Sequence, residues 1–262
     1  MDLTTLLQVA VESANRAGGI LLDGFSKVKD IHFKSGVHNI VTQFDILSEK
    51  TIIDTISESF PTHSFLAEES GLTTGDGNTV RWIIDPLDGT VNFAHGIPIF
   101  SVSIAAEYNN EIVCGVVYHP MMNELFVAEK GKGAFLNGQK INVSSTNNLE
   151  SSILVTGFPY NVHQNPEHAI QHFTGLVDKG IPIRRLGSAA IDMAYVACGR
   201  FDGFWEVGLS PWDVAAGWLI IKEAGGTVSD FSGNDYNLSS NTILSTNTNI
   251  HQEFVQYLRS TK

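Results

Sequence analysis

The chain alternates between stretches whose apolar residues recur every three or four positions and stretches where they alternate or run together. Residues 6–25, LLQVAVESANRAGGILLDGF, and 45–60, DILSEKTIIDTISESF, have helical spacing and predict two amphipathic helices. Between them, KSGVHNIVTQFD (34–45) holds no period and is expected to be loop or short strand. From about residue 80 the pattern turns to β: VRWIID (80–85), FSVSIAAE (100–107), IVCGVVYH (112–119), ELFVAE (124–129) and GAFLNGQKI (133–141). Asn137-Gly138 within the last run is a two-residue hairpin signal, so this block is expected to be a mostly antiparallel meander.

Beyond the polar stretch NVSSTNNLESS (142–152) the two patterns mix. SAAIDMAYVACG (188–199) and SPWDVAAGWLIIKEAGG (210–226) read as helices, while SILVTG (152–157), IRRLG (183–187), FDGFWEV (201–207) and GTVSDF (226–231) read as strands. Blocks rather than strict alternation favour α+β layers over a doubly wound sheet. No repeat and no Pro-rich or Gly/Ser-rich linker divides the chain. One domain, 1–262, is expected, with approximate lobes 1–145 and 146–262.

Composition narrows the function. No apolar run reaches the roughly 18 residues that cross a bilayer, and the first residues lack a signal peptide's basic region, so a cytoplasmic protein away from membranes is expected. A formal net charge of -12 opposes direct binding to nucleic acid. Cys114 and Cys198 lie in apolar surroundings and read as buried free thiols. The histidines, His95 included, read mostly as loop or surface residues; GKGAFLNG (131–138) reads as a hairpin rather than a nucleotide loop; no G-x-S-x-G marks a serine nucleophile. An acidic protein with an anionic substrate would need bound cations to attract it.

The candidate chemistry sits in acids at the ends of apolar elements. In WIIDPLDGTVNF (82–93), Asp85 precedes Pro86 and is biased toward extended backbone, while Asp88-Gly89-Thr90 reads as a turn into a helix. Both carboxylates can then face one point, and Gly89 and Thr90 would offer N–H groups to a phosphate. Each acid also has a plainer reading alone. Asp88 caps a helix, Asp85 makes a turn hydrogen bond, Asp213 in SPWD is the third residue of a capping box, and Glu68-Glu69 form an acidic loop. Together, acids from separate segments suit Mg2+, which takes carboxylate and carbonyl oxygens and keeps several waters.

These stretches resemble the inositol monophosphatase family of lithium-sensitive, magnesium-dependent phosphatases. DPLDGTVNF looks like its first signature, SPWDVAAGWLIIKEAGG like its second and AEES (67–70) like its upstream acidic element, in order along nearly the whole chain. The resemblance, to bacterial members in particular, implies a layered αβαβα sandwich and commonly a homodimer. It implies that Glu68, Asp85 and the Leu87 carbonyl hold one metal and Asp85, Asp88 and Asp213 another. A weaker third site would use Glu68 again, giving two or three Mg2+ per subunit, with Glu69 behind Glu68 or facing solvent.

The resemblance further implies catalytic roles for Glu68 and for Thr90 with Asp45, the last two orienting the attacking water. It places Asp88, Gly89, Thr90, Ala189, Glu206 and Asp213 against the substrate and Lys34 near an active-site loop. Helix capping remains the plainer account of Asp45, solvation of Lys34, and close packing of the small residues in RRLGSAA (184–190). The expected function is hydrolysis of inositol monophosphate, or a related polyol or sugar phosphate, by metal-activated water. Fructose 1,6-bisphosphatase, a nucleotide phosphatase, and a transcription-complex factor bound to RNA polymerase with secondary phosphatase activity are the alternatives.

Overall fold

A computed structural model describes residues 2–27, 29–35, 39–75 and 80–261. The first half contains α1 (Leu3–Phe25), a hairpin of β1 (Ile31–Ser35) and β2 (Asn39–Thr42), and α2 (Gln43–Ser59). It continues with β3 (Ser64–Ala67), β4 (Gly71–Thr73), β5 (Arg81–Asp88), a short α3 (Thr90–Ala94), β6 (Ser101–Tyr108) and β7 (Glu111–His119). Three more strands, β8 (Glu124–Glu129), β9 (Gly133–Leu136) and β10 (Gln139–Ile141), close it. The second half runs β11 (Leu154–Thr156), α4 (Ala169–Asp178), β12 (Ile183–Arg184), α5 (Ala189–Ala197) and β13 (Gly203–Val207). It ends with α6 (Pro211–Glu223), β14 (Thr227–Ser229), β15 (Thr242–Thr246) and α7 (His251–Ser260).

Eight strands form one sheet in the order β10-β9-β8-β7-β6-β5-β3-β4, antiparallel at every pair except the parallel β3 and β5. The expected meander is its core. Asn137 and Gly138 both take positive φ, 49° and 78°, as a type I′ hairpin turn requires. The second sheet has five strands, β12-β11-β13-β15-β14, parallel across β12, β11 and β13 and antiparallel beyond.

Three apolar clusters stack these elements. Leu6, Ala14 and Leu21 of α1 and Ile52 and Ile56 of α2 pack on Trp82, Ile84, Ile104 and Val116 on one face of the large sheet. Its other face, including Ile83, Ala105 and Val117, meets Ala194 of α5 and Val214, Ala216 and Ile220 of α6, which also meet Val155, Phe204 and Ile243 of the small sheet. Leu176 of α4 and Phe254 and Leu258 of α7 cover the outer face of that sheet at Leu154, Trp205 and Leu244. The architecture is therefore the expected αβαβα sandwich. Because α5 and α6 lie between two sheets they are apolar nearly all round, without the polar stripe of a surface helix.

Some expectations need correction. α2 begins at Gln43, not Asp45, and the ambiguous stretch before it contains the β1–β2 hairpin. Cys114 is buried and free as expected, but Cys198 is only partly buried. His119 and His172 are not surface residues: each is 2% exposed, and burial lowers the pKa of each to about 4. His168 and His172 are spaced as H-x-x-x-H, with rings 6.5 Å apart, but His172 packs against Phe231 and Tyr257 rather than against acids. The polar stretch 142–152 is tied down: Asn247 Nδ2 donates to Ser144 Oγ and the Thr146 carbonyl, both at 2.8 Å.

Candidate active site

The D-P-L-D spacing is resolved by strand register. Asp85 stands opposite Ser103 and Asp88 opposite Ser101, so β5 advances three residues while β6 advances two. In a regular strand, residues three apart face opposite sides of the sheet. The extra residue is a β-bulge that resets the alternation, and both carboxylates line one cavity. Pro86, without an N–H for the ladder, falls inside the bulge, where its carbonyl accepts from Ser48 Oγ at 2.7 Å. Gly89 then turns the chain with φ 95°, and a Cβ there would stand 3.0 Å from the Ile99 carbonyl oxygen and 3.1 Å from that of Gly187.

Asp88 is a helix cap, but of a different helix from the one expected. Its Oδ2 accepts from Ser188 Oγ and the Ala190 N–H, both at 2.7 Å, so it caps α5 rather than α3. Asp213, third residue of α6, accepts the Ser210 N–H at 2.6 Å through Oδ2, and Asp85 accepts the Leu87 N–H at 3.0 Å through Oδ1. The plainer readings of Asp85 and Asp213 are therefore realised, and Asp88 is a cap of α5 instead of α3. Each consumes one oxygen only; the second oxygen of each accepts from no described residue.

These groups share a cavity of about 910 Å³ whose lining includes Lys34, Glu68, Leu87, Gly89, Thr90, Ala189 and Glu206. Of the residues expected to hold metal, orient water or meet the substrate, only Asp45 is absent from the lining. It is fully buried behind Thr90, whose Oγ lies 2.9 Å from Asp45 Oδ1 and 3.0 Å from the Leu87 carbonyl oxygen. Its other oxygen accepts from Thr42 N–H and Oγ at 2.8 and 2.6 Å, the capping box of α2. Asp45 thus both caps the helix and holds Thr90. Lys34 Nζ donates to Glu68 at 2.8 Å and Glu69 at 2.6 Å, and this pairing raises its pKa despite partial burial. Of the loop expected beyond Lys34, Gly36, Val37 and His38 lie outside the described residues.

Electrostatics disfavour the ionised form of the cluster in the absence of a cation. Loss of water, then repulsion from Glu68, Asp88 and Asp213, holds the Asp85 carboxyl well above the usual range. Desolvation and then Asp88 do the same to Asp213. Asp88 rises to about 6, also through desolvation, with its Ser188 and Ala190 hydrogen bonds opposing. The donor set is hard oxygen throughout, mutually repelling and incompletely hydrogen-bonded, which fits a hydrated divalent cation. Among the described residues no three His, Cys, Asp or Glu side chains already close on one point. A hydrated divalent cation does not demand that they do, since waters can complete its coordination.

Sequence reasoning passed over several cavity residues. Arg185 stands in RRLGSAA, where the expectation concerns only the backbone and small residues; it lines the cavity and acts electrostatically on Asp88, Asp192 and Glu206. Asp192 was a lone acid in an apolar helix, which was the available signal. It is 1% exposed, Oδ1 has no hydrogen-bond partner, and burial followed by Glu206 pushes its carboxyl well up. Asn92 Nδ2 donates to the Ile99 and Leu186 carbonyls, both at 2.8 Å, joining the two halves beside the site.

With the geometry in hand, similarity to known proteins is informative. The sequence profile of the inositol monophosphatase family matches residues 2–262. An Escherichia coli protein named Nus factor SuhB is 44% identical over 240 residues, 91% of this chain and 90% of that protein. An inositol-1-monophosphatase of a Synechocystis species is 44% identical over 260 residues, 99% and 91% of the two chains. The crystal structure of extragenic suppressor protein SuhB from Bartonella henselae matches with a TM-score of 0.94 at 39% identity, covering 98% of this chain and 100% of that one. The chain belongs to the inositol monophosphatase family, and is a phosphoric monoester hydrolase of that type.

Proposed function

We propose that the protein hydrolyses inositol monophosphate, or a closely related polyol or sugar phosphate, with two or three Mg2+ bound by Glu68, Asp85, the Leu87 carbonyl, Asp88 and Asp213. The observation that carries this reading is the β5 bulge, which lines Asp85 and Asp88 up with Asp213 around one cavity. Such cations neutralise phosphoryl oxygens and lower the pKa of a water. The chain's own groups do the rest. The Thr90 hydroxyl donates to Asp45, so its lone pairs face the attacking water, and as Thr90 takes the water's proton its own hydroxyl proton passes to the Asp45 carboxylate. Direct attack by water leaves no phosphoenzyme.

Glu206 and Ala189, across the cavity, orient the substrate's hydroxyl-bearing part. The relative named inositol-1-monophosphatase supports the polyol class. Phosphate release should be measured with inositol 1-phosphate, fructose 1,6-bisphosphate, NADP, histidinol phosphate and 3'-phosphoadenosine 5'-phosphate. Inositol 1-phosphate should show the highest kcat/KM with Mg2+, and EDTA should abolish release; a nucleotide or bisphosphate at the head would replace the substrate assignment.

A second reading, a binding role in a transcription complex with RNA polymerase as partner, draws on the similarity to a protein named Nus factor SuhB. It coexists with catalysis. RNA polymerase should then be retained equally by the wild type and by Asp88→Asn in a pull-down, and absence of retention by the wild type removes this reading.

A further inference from the structure

One wall of the cavity owes its shape to a missing side chain. β11 and β13 run parallel with Thr156 opposite Trp205, so Gly157 and Glu206 follow as neighbours at the ends of the strands. A Cβ on Gly157 would stand 2.2 Å from Glu206 Oε2, 2.3 Å from Oε1 and 2.4 Å from Cδ. The Glu206 carboxylate therefore occupies the space where any other residue at 157 would carry its side chain. Gly157 is not among the glycines with positive φ, so its backbone tolerates alanine and space alone is at issue. Glu206 is 8% exposed, lines the cavity and takes no hydrogen bond from a described residue, which leaves its carboxyl available to a ligand hydroxyl.

We propose that Gly157 is a specificity-determining position: by lacking a side chain it seats the Glu206 carboxylate, and so fixes where a substrate hydroxyl is read. This rests on the assignment of Glu206 as a substrate contact. A methyl group at 157 must drive the carboxylate out of its seat, since no carbon–oxygen contact can persist near 2.2 Å. The displaced group would crowd the space of a polyol ring and lose its alignment with the ring hydroxyls. A phosphate ester without hydroxyls would not register that alignment.

The test compares kcat/KM for inositol 1-phosphate with that for p-nitrophenyl phosphate, at saturating Mg2+, in the wild type, Glu206→Ala, Glu206→Asp, Gly157→Ala and the double variant Gly157→Ala/Glu206→Asp. Glu206→Ala should lower the ratio of the two values about 10-fold or more. Gly157→Ala should lower it to a similar extent, mainly through KM for inositol 1-phosphate. Glu206→Asp alone should also lower the ratio, yet combined with Gly157→Ala it should raise it above Gly157→Ala alone, because the shorter acid retreats from the methyl group. That reversal of sign is something general destabilisation does not produce. A wild-type ratio in Gly157→Ala beside a reduced one in Glu206→Ala overturns the role of Gly157 and leaves Glu206 in place. Equal losses on both substrates in Gly157→Ala, without improvement in the double variant, also overturn it. A wild-type ratio in Glu206→Ala removes the substrate assignment of Glu206 and this proposal with it.

Discussion

Thr90 shows how much one atom decides. Its hydroxyl has one hydrogen and two oxygens within reach, Asp45 Oδ1 at 2.9 Å and the Leu87 carbonyl at 3.0 Å. A carboxylate is the stronger acceptor, so donation to Asp45 leaves the Leu87 carbonyl free. Thr90→Val keeps the shape and removes the hydroxyl; kcat should fall about 100-fold or more, while Thr90→Ser stays near wild type, as phosphate release would show. Loss in Thr90→Ser with near-wild-type turnover in Thr90→Val would make the methyl group, not the hydroxyl, the functional part. At this scale the sequence displayed the acids but not their division of labour. Asp88 and Asp213 look like caps and like ligands because each has two oxygens and commits only one to capping. Asp192 stayed illegible because its meaning comes from Glu206 and Arg185, which other elements bring to it.

Among elements, the long alternating runs of β5 to β8 were legible because each carries enough consecutive apolar residues to declare its period. The bulge that aligns Asp85 and Asp88 was not, since it exists only in register against β6. The short β3, β4 and β15 also escaped. So did α4, which contains Gly175, and α7, whose buried stripe is just Phe254, Val255 and Leu258. Capping of α5 by Asp88 gives an element-scale expectation. Asp88→Asn keeps an oxygen to accept from Ser188 and Ala190, whereas Asp88→Ala removes it. Both variants should lose turnover, but only Asp88→Ala should lose stability, by about 1 kcal/mol in denaturant unfolding. Equal stability of the two would show that the cap contributes nothing.

For the whole molecule, the acid cluster couples stability to pH and to cations. The carboxyls of Asp85 and Asp213 are raised well above ordinary values, that of Asp88 to about 6 and that of Glu206 to about 8. Between about pH 4, where such groups titrate in an unfolded chain, and pH 8, the folded protein binds more protons than the unfolded one. Without a divalent cation, stability should therefore fall as pH rises through this window. A cation replaces those protons, so the melting-temperature gain on adding Mg2+ after EDTA should be larger at pH 8 than at pH 5. At 100 times its dissociation constant the cation would contribute about 2.7 kcal/mol. An equal gain at both pH values in differential scanning fluorimetry would place the cation away from these acids. The central claim, that the cluster exists to hold cations for phosphate ester hydrolysis, is tested most directly by Asp213→Asn. The amide still accepts the Ser210 N–H, so the helix start survives, but the negative charge is gone. Phosphate release from inositol 1-phosphate, measured across a Mg2+ titration, should be lost at every concentration while the melting temperature in EDTA is retained; near-wild-type release at low Mg2+ would reduce Asp213 to a helix cap and contradict the claim.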